Sequence, residues 1–406
     1  MLQFYQNSSE KLLTELLNTR NQVIYAGFDA TSDSLHIGNL ALIMTLKKLQ
    51  EKCNHLIIIL IGGATTRIGD PTDKTSARKV LSEETVSFNT AGIKKSLKKF
   101  LKFASTDEIK IDQTDKCTNL DELYGKAILV DNYDWWKNIN YIQFITQYGK
   151  LFSVNNMVKI ETIKRRLENE QHLSLLEFNY MVMQAYDFLH LNYKFKCTTQ
   201  LGGSDQWGNI IQGVNLIKKI HNQETLALTI PLITNAAGEK MGKTGNNPIW
   251  LNENKLSPYE YYQYWLNMND NDIQKFQNIY TMLEKDVQLL SRQELAFEIT
   301  QLCHGNEETI KAVKTTQDVF NTKQNIAENA PPMQINHDSD TIHIYDLLVK
   351  SKIVQSKSQA KKLIDNAGIK INRKTVSHDS IIDTYKKILL SKGKKNHYLC
   401  EFILNI

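Results

Sequence analysis

NQVIYAGFDA, residues 21–30, and HLIIILIGGAT, residues 55–65, decide how the chain is organised. Each is a short apolar run rich in β-branched residues that leaves into a loop carrying Gly, Asp or Thr, the signature of a buried strand and its exit. Between them, residues 38–52 carry apolar positions at helical spacing. Strand, helix and strand in that order make a βαβ unit, so the strands lie parallel and the crossover is right-handed. The pattern returns downstream. KAILVDNYDWW (126–136) reads as another strand with its exit loop, and KFKCTTQLGGSDQWGNIIQGVNLIKK (194–219) as strand, glycine turn and helix. In open parallel sheets ligands bind beyond the carboxyl ends of the strands, where these loops gather.

At 406 residues the chain is too long for one ordinary core, so two or three domains are expected. From about Leu256 the pattern turns helical, with aromatic residues in SPYEYYQYWLNM (257–268). The stretch NIAENAPPMQINHDSD (325–340) holds the only Pro-Pro pair and little periodicity, and reads as an interdomain linker. The expected division is an α/β domain over 1–220, a helical domain over 221–325, a linker over 326–336 and a small α+β domain over 337–406. No apolar run approaches the roughly 20 residues that cross a bilayer. The N-terminus lacks a signal-peptide core and reads as an amphipathic helix. Cys53, Cys117, Cys197, Cys303 and Cys400 lie far apart with no CxxC pair, which points to reduced thiols in a cytoplasm and to no dedicated metal site.

Charge is unevenly placed. The net charge is +5, yet residues 337–406 alone carry 13 Lys and Arg against 7 Asp and Glu. A small basic domain on a neutral body points to a polyanionic partner, nucleic acid first. A solvated lysine-rich tail is the plainer alternative.

Two further motifs carry chemistry. In DSLHIGNL (33–40) a helix begins directly after the first strand, aiming its unpaired N–H groups and positive dipole end at the cleft. His36 is placed in the first turn, within reach of a phosphate, and Gly38 lets a nucleotide approach the backbone; a buried structural histidine explains the motif equally well. In KMGKT (240–244) Lys240 and Lys243, flanked by Gly238 and Gly245, form a cationic loop able to close over a polyphosphate. Alone, a solvated surface loop is at least as good a reading. Together, about 200 residues apart, the motifs resemble the HIGH and KMSKS signatures of class I aminoacyl-tRNA synthetases. The chain departs from both, with Asn39 for the second histidine and Gly242 and Thr244 for the two serines.

A third constellation bears on the amino acid. Tyr180, Gln184 and Asp187 fall at i, i+4 and i+7, on one face of a helix, and form a polar stripe in an apolar segment, for which an exposed helix face is the alternative reading. Tyr25, at the end of the first strand, can meet the same cavity. A phenolic substrate needs its hydroxyl paired at depth, and Tyr25 with Asp187 supplies a donor and an acceptor.

The segments YAGFDATSDSLHIGNL, GGATTRIGDPTDKTSAR, EFNYMVMQAYDFLHL and QLGGSDQWGNI are similar to tyrosyl-tRNA synthetases of the bacterial type, and the likeness runs over essentially the whole chain. The resemblance implies a Rossmann-like α/β catalytic domain with an inserted dimerisation segment near residues 124–149, a helical domain carrying the KMSKS-like loop at its start, and a C-terminal S4-like RNA-binding domain. It implies that Tyr25 and Asp187 bind the substrate phenol, that Asp70, Tyr180 and Gln184 hold its ammonium, and that Gln206 lies near its carboxylate. Gly27 and Asp29 would line the cleft floor, Gly203 and Asp205 contact the ribose, and Gly38 and Asn39 take part in binding ATP. Thr31 and His36 would hold the γ-phosphate, with Lys74, Arg78, Lys240 and Lys243 closing over the departing pyrophosphate. Ser358, Lys361, Lys362, Arg373 and Lys374 would contact tRNA(Tyr). L-tyrosine and ATP, the latter with Mg²⁺, are the implied substrates of a cytoplasmic homodimer. A tryptophanyl-tRNA synthetase and a catalytically inactive RNA-binding relative are the alternatives.

Overall fold

The computed structural model describes residues 4–70, 81–234, 241, 243–244, 247–283, 288–321, 331–372, 374–378, 380–393 and 396–404. The chain divides into two compact units, residues 1–251 with 275–287, and residues 252–274 with 288–406.

The first unit is built on a six-stranded sheet of β1 (Gln6–Asn7), β2 (Val23–Phe28), β3 (Leu56–Ile61), β4 (Ala127–Asp131), β5 (Thr199–Gly203) and β6 (Leu226–Ile230). Their order is β1-β6-β5-β2-β3-β4, with every neighbouring pair parallel except β1 with β6. All six residues of β3 (LIIILI) are buried, as a parallel strand covered on both faces requires. From β2 the chain builds outward through β3 and β4, then returns to lay β5 on the other side of β2. That reversal opens a crevice between the carboxyl ends of β2 and β5.

Three helices frame the crevice. Ile37–Cys53 connects β2 to β3, while Leu175–Phe195 and Trp207–His221 flank β5 in the chain. The 21-residue helix Leu175–Phe195 begins in a capping box, in which the Ser174 side chain accepts from Glu177 N and Glu177 accepts from Ser174 N. The Glu177 carboxylate is buried and also meets Arg166 at 3.0 Å, so the start of this helix is held by a paired charge.

The second unit packs the helices Pro258–Leu266, Arg292–His304 and Asn306–Asn321 around the buried Tyr261 and Trp265. It also holds a five-stranded sheet, ordered Lys374–Thr375, Ile369–Ile371, Ile388–Lys392, Asn396–Leu404, Pro332–His337. Helices Ile344–Lys350 and Lys357–Asp365 cover it around a core that includes Leu347, Leu348, Ile369 and Leu390.

Two expected boundaries differ from this arrangement. β6 pairs along its length with β5, so the sheet continues past residue 220. Residues 247–251 likewise belong to the first unit, which puts the segment after the KMGKT loop with the α/β body rather than at the start of a helical domain. Across the end of the expected linker, Pro332–His337 is an edge strand, parallel to Asn396–Leu404. Proline is tolerated as the first residue of an edge strand, and Ile335 and His337 alternate inward while Pro332, Gln334 and Asn336 do not. Among the described residues, no helix is long and apolar enough to cross a membrane.

Candidate active site

A cavity of about 410 Å³ opens at the carboxyl ends of β2 and β5. The loop after β2 is anchored beside the cavity: the Ala30 amide donates to Thr66 Oγ1 at 2.7 Å, and Asn89 Nδ2 donates to the Ala30 carbonyl at 2.8 Å. Tyr25, Gly27, Asp29 and Thr31, which belong to β2 and this loop, all line the cavity.

His36 precedes the helix rather than sitting in its first turn. It is the N-cap of Ile37–Cys53, accepting the Gly38 N–H on Nδ1 at 3.1 Å while Asn39 Oδ1 accepts the His36 N–H at 3.1 Å. This reciprocal box explains the local sequence, since the Asn39 side chain serves the helix start and the cavity wall together. With Nδ1 accepting, the neutral ring carries its proton on Nε2, the nitrogen suited to donate to a phosphate. Gly38 is required by close approach: a Cβ there would meet His36 Cε1 at 2.9 Å and Nδ1 at 3.0 Å. Gly38→Ala is therefore expected to displace the imidazole and weaken a phosphate ligand seated there by roughly tenfold, the size of one lost charge-assisted hydrogen bond. Calorimetric titration with inorganic pyrophosphate, with circular dichroism to show an intact helix content, checks this.

The first motif meets the segment beyond the KMGKT loop through backbone pairing. Ile37 N donates to Ile249 O at 3.0 Å and Leu251 N to Leu35 O at 2.9 Å, which seats Trp250 beside His36. On the other side of the cationic loop, Met241 N donates to Ile233 O at 2.7 Å. Met241 and Trp250 both line the cavity. Lys74, Arg78 and Lys240 lie outside the described residues, as does the side chain of Lys243, whose backbone pairs in the short hairpin Lys243–Thr244 with Asn247–Pro248.

At the cavity floor Asp187 is buried and accepts three hydrogen bonds, from Trp135 Nε1 at 2.8 Å, Trp136 Nε1 at 2.7 Å and Asn132 Nδ2 at 2.9 Å. Burial nevertheless pushes its carboxyl up to about 7, with the charge of Asp29 adding to the rise and the three donors opposing it. Tyr25 is fully buried beside it, and its hydroxyl has no hydrogen-bond partner among the described residues. Burial raises the Tyr25 phenol well above its ordinary value, with the Asp187 charge contributing, so it stays a protonated donor.

Higher in the cavity the polar side chains form a linked set. Tyr180 Oη donates to Asp29 Oδ2 at 2.9 Å, and Thr65 Oγ1 to Asp29 Oδ1 at 2.8 Å. Gln206 Nε2 donates to Asp70 Oδ2 at 2.7 Å. Asn209 Nδ2 spans Gln184 Oε1 and Gln206 Oε1 at 3.2 and 3.3 Å. Gly203 stands where a Cβ would meet Asp205 Oδ1 at 2.4 Å, so its missing side chain is what admits that carboxylate to the rim. Tyr180, Gln184, Asp187, Gly203, Asp205, Gln206, Asp70, His36, Gly38 and Asn39 all line the one cavity. In the second unit Ser358, Lys361, Lys362 and Lys374 are exposed, and Arg373 lies outside the described residues.

Comparison with known proteins follows the same lines. A family model described as tRNA synthetases class I (W and Y) matches residues 17–330, and one described as a tyrosine–tRNA ligase SYY-like C-terminal domain matches residues 322–400. A tyrosine–tRNA ligase of Orientia tsutsugamushi (strain Ikeda) is 43% identical over 98% of this chain and 96% of the relative. One of Pelagibacter ubique is 43% identical over 98% and 97%. The chain belongs to the tyrosine–tRNA ligase family. Among solved structures, a C-terminally truncated mitochondrial tyrosyl-tRNA synthetase of Aspergillus nidulans superposes with a TM-score of 0.65 at 25% identity, covering 78% of this chain and 91% of that one. The counterpart from Coccidioides posadasii gives 0.62 at 25% identity over 77% and 88%.

For a tyrosine–tRNA ligase the sequence reading omitted the partners that hold its candidate side chains: Asn132, Trp135 and Trp136 on Asp187, Thr65 on Asp29, and Asn209 between the two glutamines. A signal was present for the first three, because NYDWW follows a strand directly and strand exits are where sites form. Gln200, buried on β5 opposite Tyr25 and lining the cavity, was also missed.

Proposed function

We propose that the cavity seats L-tyrosine with its phenol between Tyr25 and Asp187, and ATP across His36 and the glycine-bordered rim. The ammonium then meets Asp70, Tyr180 and Gln184, the carboxylate lies near Gln206, and the ribose rests on Gly203 and Asp205. The tyrosine carboxylate attacks the α-phosphate, the bond to the β-phosphate oxygen breaks, and pyrophosphate leaves with tyrosyl-adenylate retained. A ribose hydroxyl at the 3′ end of tRNA(Tyr) next attacks the adenylate carbonyl and releases AMP. Neither step needs a protein nucleophile; positioning and charge stabilisation carry both. Thr31, His36 and the lysines of the KMGKT loop, with Lys74 and Arg78, stabilise the leaving phosphates, and Mg²⁺ enters with ATP as its counter-ion.

The observation that carries this reading is the lone Tyr25 hydroxyl. A buried tyrosine O–H ordinarily has a partner, and here the partner is supplied by the ligand. A phenol donates its proton to Asp187 and accepts from Tyr25, satisfying both at once. Tyr25→Phe removes one oxygen: calorimetric titration is expected to show tyrosine weakened roughly tenfold and phenylalanine bound as before. Equal losses for both amino acids would overturn the assignment.

Exposed apolar side chains Tyr141, Ile142, Ile145 and Val154 support a homodimer formed through this part of the first unit. All five cysteines are thiols, which supports a cytoplasmic setting. The exposed lysines of helix Lys357–Asp365, with Lys374 on the edge strand Lys374–Thr375, support tRNA backbone contact by the second unit, salt-sensitive and indifferent to base identity.

A further inference from the structure

We infer that His190 is a positioning residue for phenol recognition, holding the Trp135 indole so that its N–H stays on Asp187. The inference rests on the assignment of Asp187 to the substrate phenol. His190 lies three positions beyond Asp187 on helix Leu175–Phe195, so the two side chains share a face one turn apart. Trp135 is gripped by both. Its Nε1 donates to Asp187 Oδ1 at 2.8 Å, and its ring plane lies against the imidazole with centroids 4.3 Å apart and 26° between planes.

The state of the imidazole fits a stacking plate and little else. Its Nε2 is buried with no hydrogen-bond partner among the described residues. Burial, with the neighbouring Lys194 charge second, drives its pKa down to about 4, so the ring is neutral at physiological pH. A buried ring nitrogen left unpaired is unfavourable and rare, and a leucine would fill the same space without that cost. What leucine lacks is a flat face. An indole tethered by one hydrogen bond can still swing about its side-chain torsions, and a parallel ring against its face removes that freedom. Without the plate, the Trp135 N–H leaves the carboxylate, and Asn132 and Trp136 hold Asp187 in an altered orientation. The loss falls on a substrate that hydrogen-bonds Asp187, and spares one that does not.

Phenylalanine supplies that control. Amino-acid-dependent pyrophosphate exchange is measured with tyrosine and with phenylalanine for the unmodified protein, His190→Ala, His190→Leu and His190→Phe, each with and without Trp135→Phe. His190→Ala and His190→Leu are expected to lower the tyrosine-to-phenylalanine ratio of kcat/KM by roughly tenfold, the share of a hydrogen bond to a charged group. The change appears in KM for tyrosine, with kcat and the phenylalanine values preserved. His190→Phe restores the stack and with it the ratio. In the Trp135→Phe background, where no indole N–H remains, the His190 substitutions change the ratio no further. An unchanged ratio in both His190→Ala and His190→Leu would overturn the inference. So would a parallel fall for both amino acids, or a His190 effect that persists undiminished without the indole. Asp187→Asn separates this from the reading beneath it: if that variant leaves the ratio intact, the phenol assignment fails and the inference fails with it.

Discussion

Asp187→Ala is expected to lower kcat/KM for tyrosine in pyrophosphate exchange by roughly a thousandfold. Two effects add. The substrate phenol loses a charge-assisted acceptor, and the donors on Trp135, Trp136 and Asn132, spaced 2.7 to 2.9 Å from that carboxylate, are left facing an apolar gap. A hydrogen bond to a charged group is worth about 1.5–3 kcal/mol, and each stranded buried donor costs about 1–3 kcal/mol. Part of the second cost is met in the free protein, so only a fraction reaches the transition state, and roughly 4 kcal/mol is the net expectation. Residual activity with phenylalanine should be nearly unchanged, because that substrate never used the carboxylate. A parallel collapse with both amino acids, in protein that melts normally, would mean that Asp187 supports the fold of the floor rather than the phenol.

The second large effect is on pH. Burial holds the Asp187 carboxyl up at about 7 in the ligand-free protein, and only its ionised form accepts the phenol proton. Tyrosine kcat/KM, which reports groups of the free enzyme, should therefore fall about tenfold for each pH unit below about 7. The fall should be absent in Asp187→Asn. Stability runs the other way. The folded-state pKa lies above the unfolded value of roughly 3.9, so the native protein holds this proton more tightly. Its contribution to stability is fully present below about pH 4, declines as the pH rises towards 7, and is flat above that. Melting temperatures of the unmodified protein and Asp187→Asn should accordingly diverge between about pH 4 and 7, the unmodified protein losing ground as the pH rises.

Strands β2 to β5 were legible in the sequence because each leaves a local trace. β3 is six consecutive apolar residues, and Tyr180, Gln184 and Asp187 mark one helical face by spacing alone. Local traces stop at the element's own edge. Trp135 and Trp136 meet Asp187 from 52 and 51 positions away, on a short helix whose packing no periodicity reveals. His36 was placed one position too far into its helix, because the reciprocal pairing with Asn39 depends on backbone geometry at the cap. Pro332–His337 passed for linker because a Pro-Pro pair outweighs a short alternation, and only the parallel partner Asn396–Leu404 makes a strand of it. The boundary at 220 fell inside the sheet for the same reason: β6 earns its place by pairing, not by pattern.

The most direct test of the account is amino-acid-dependent ATP–pyrophosphate exchange by the purified, Mg²⁺-supplied protein, with tyrosine, phenylalanine and tryptophan compared. Exchange with tyrosine far above the other two is the predicted result. Exchange led by tryptophan, or none with any of the three in folded protein, would contradict it.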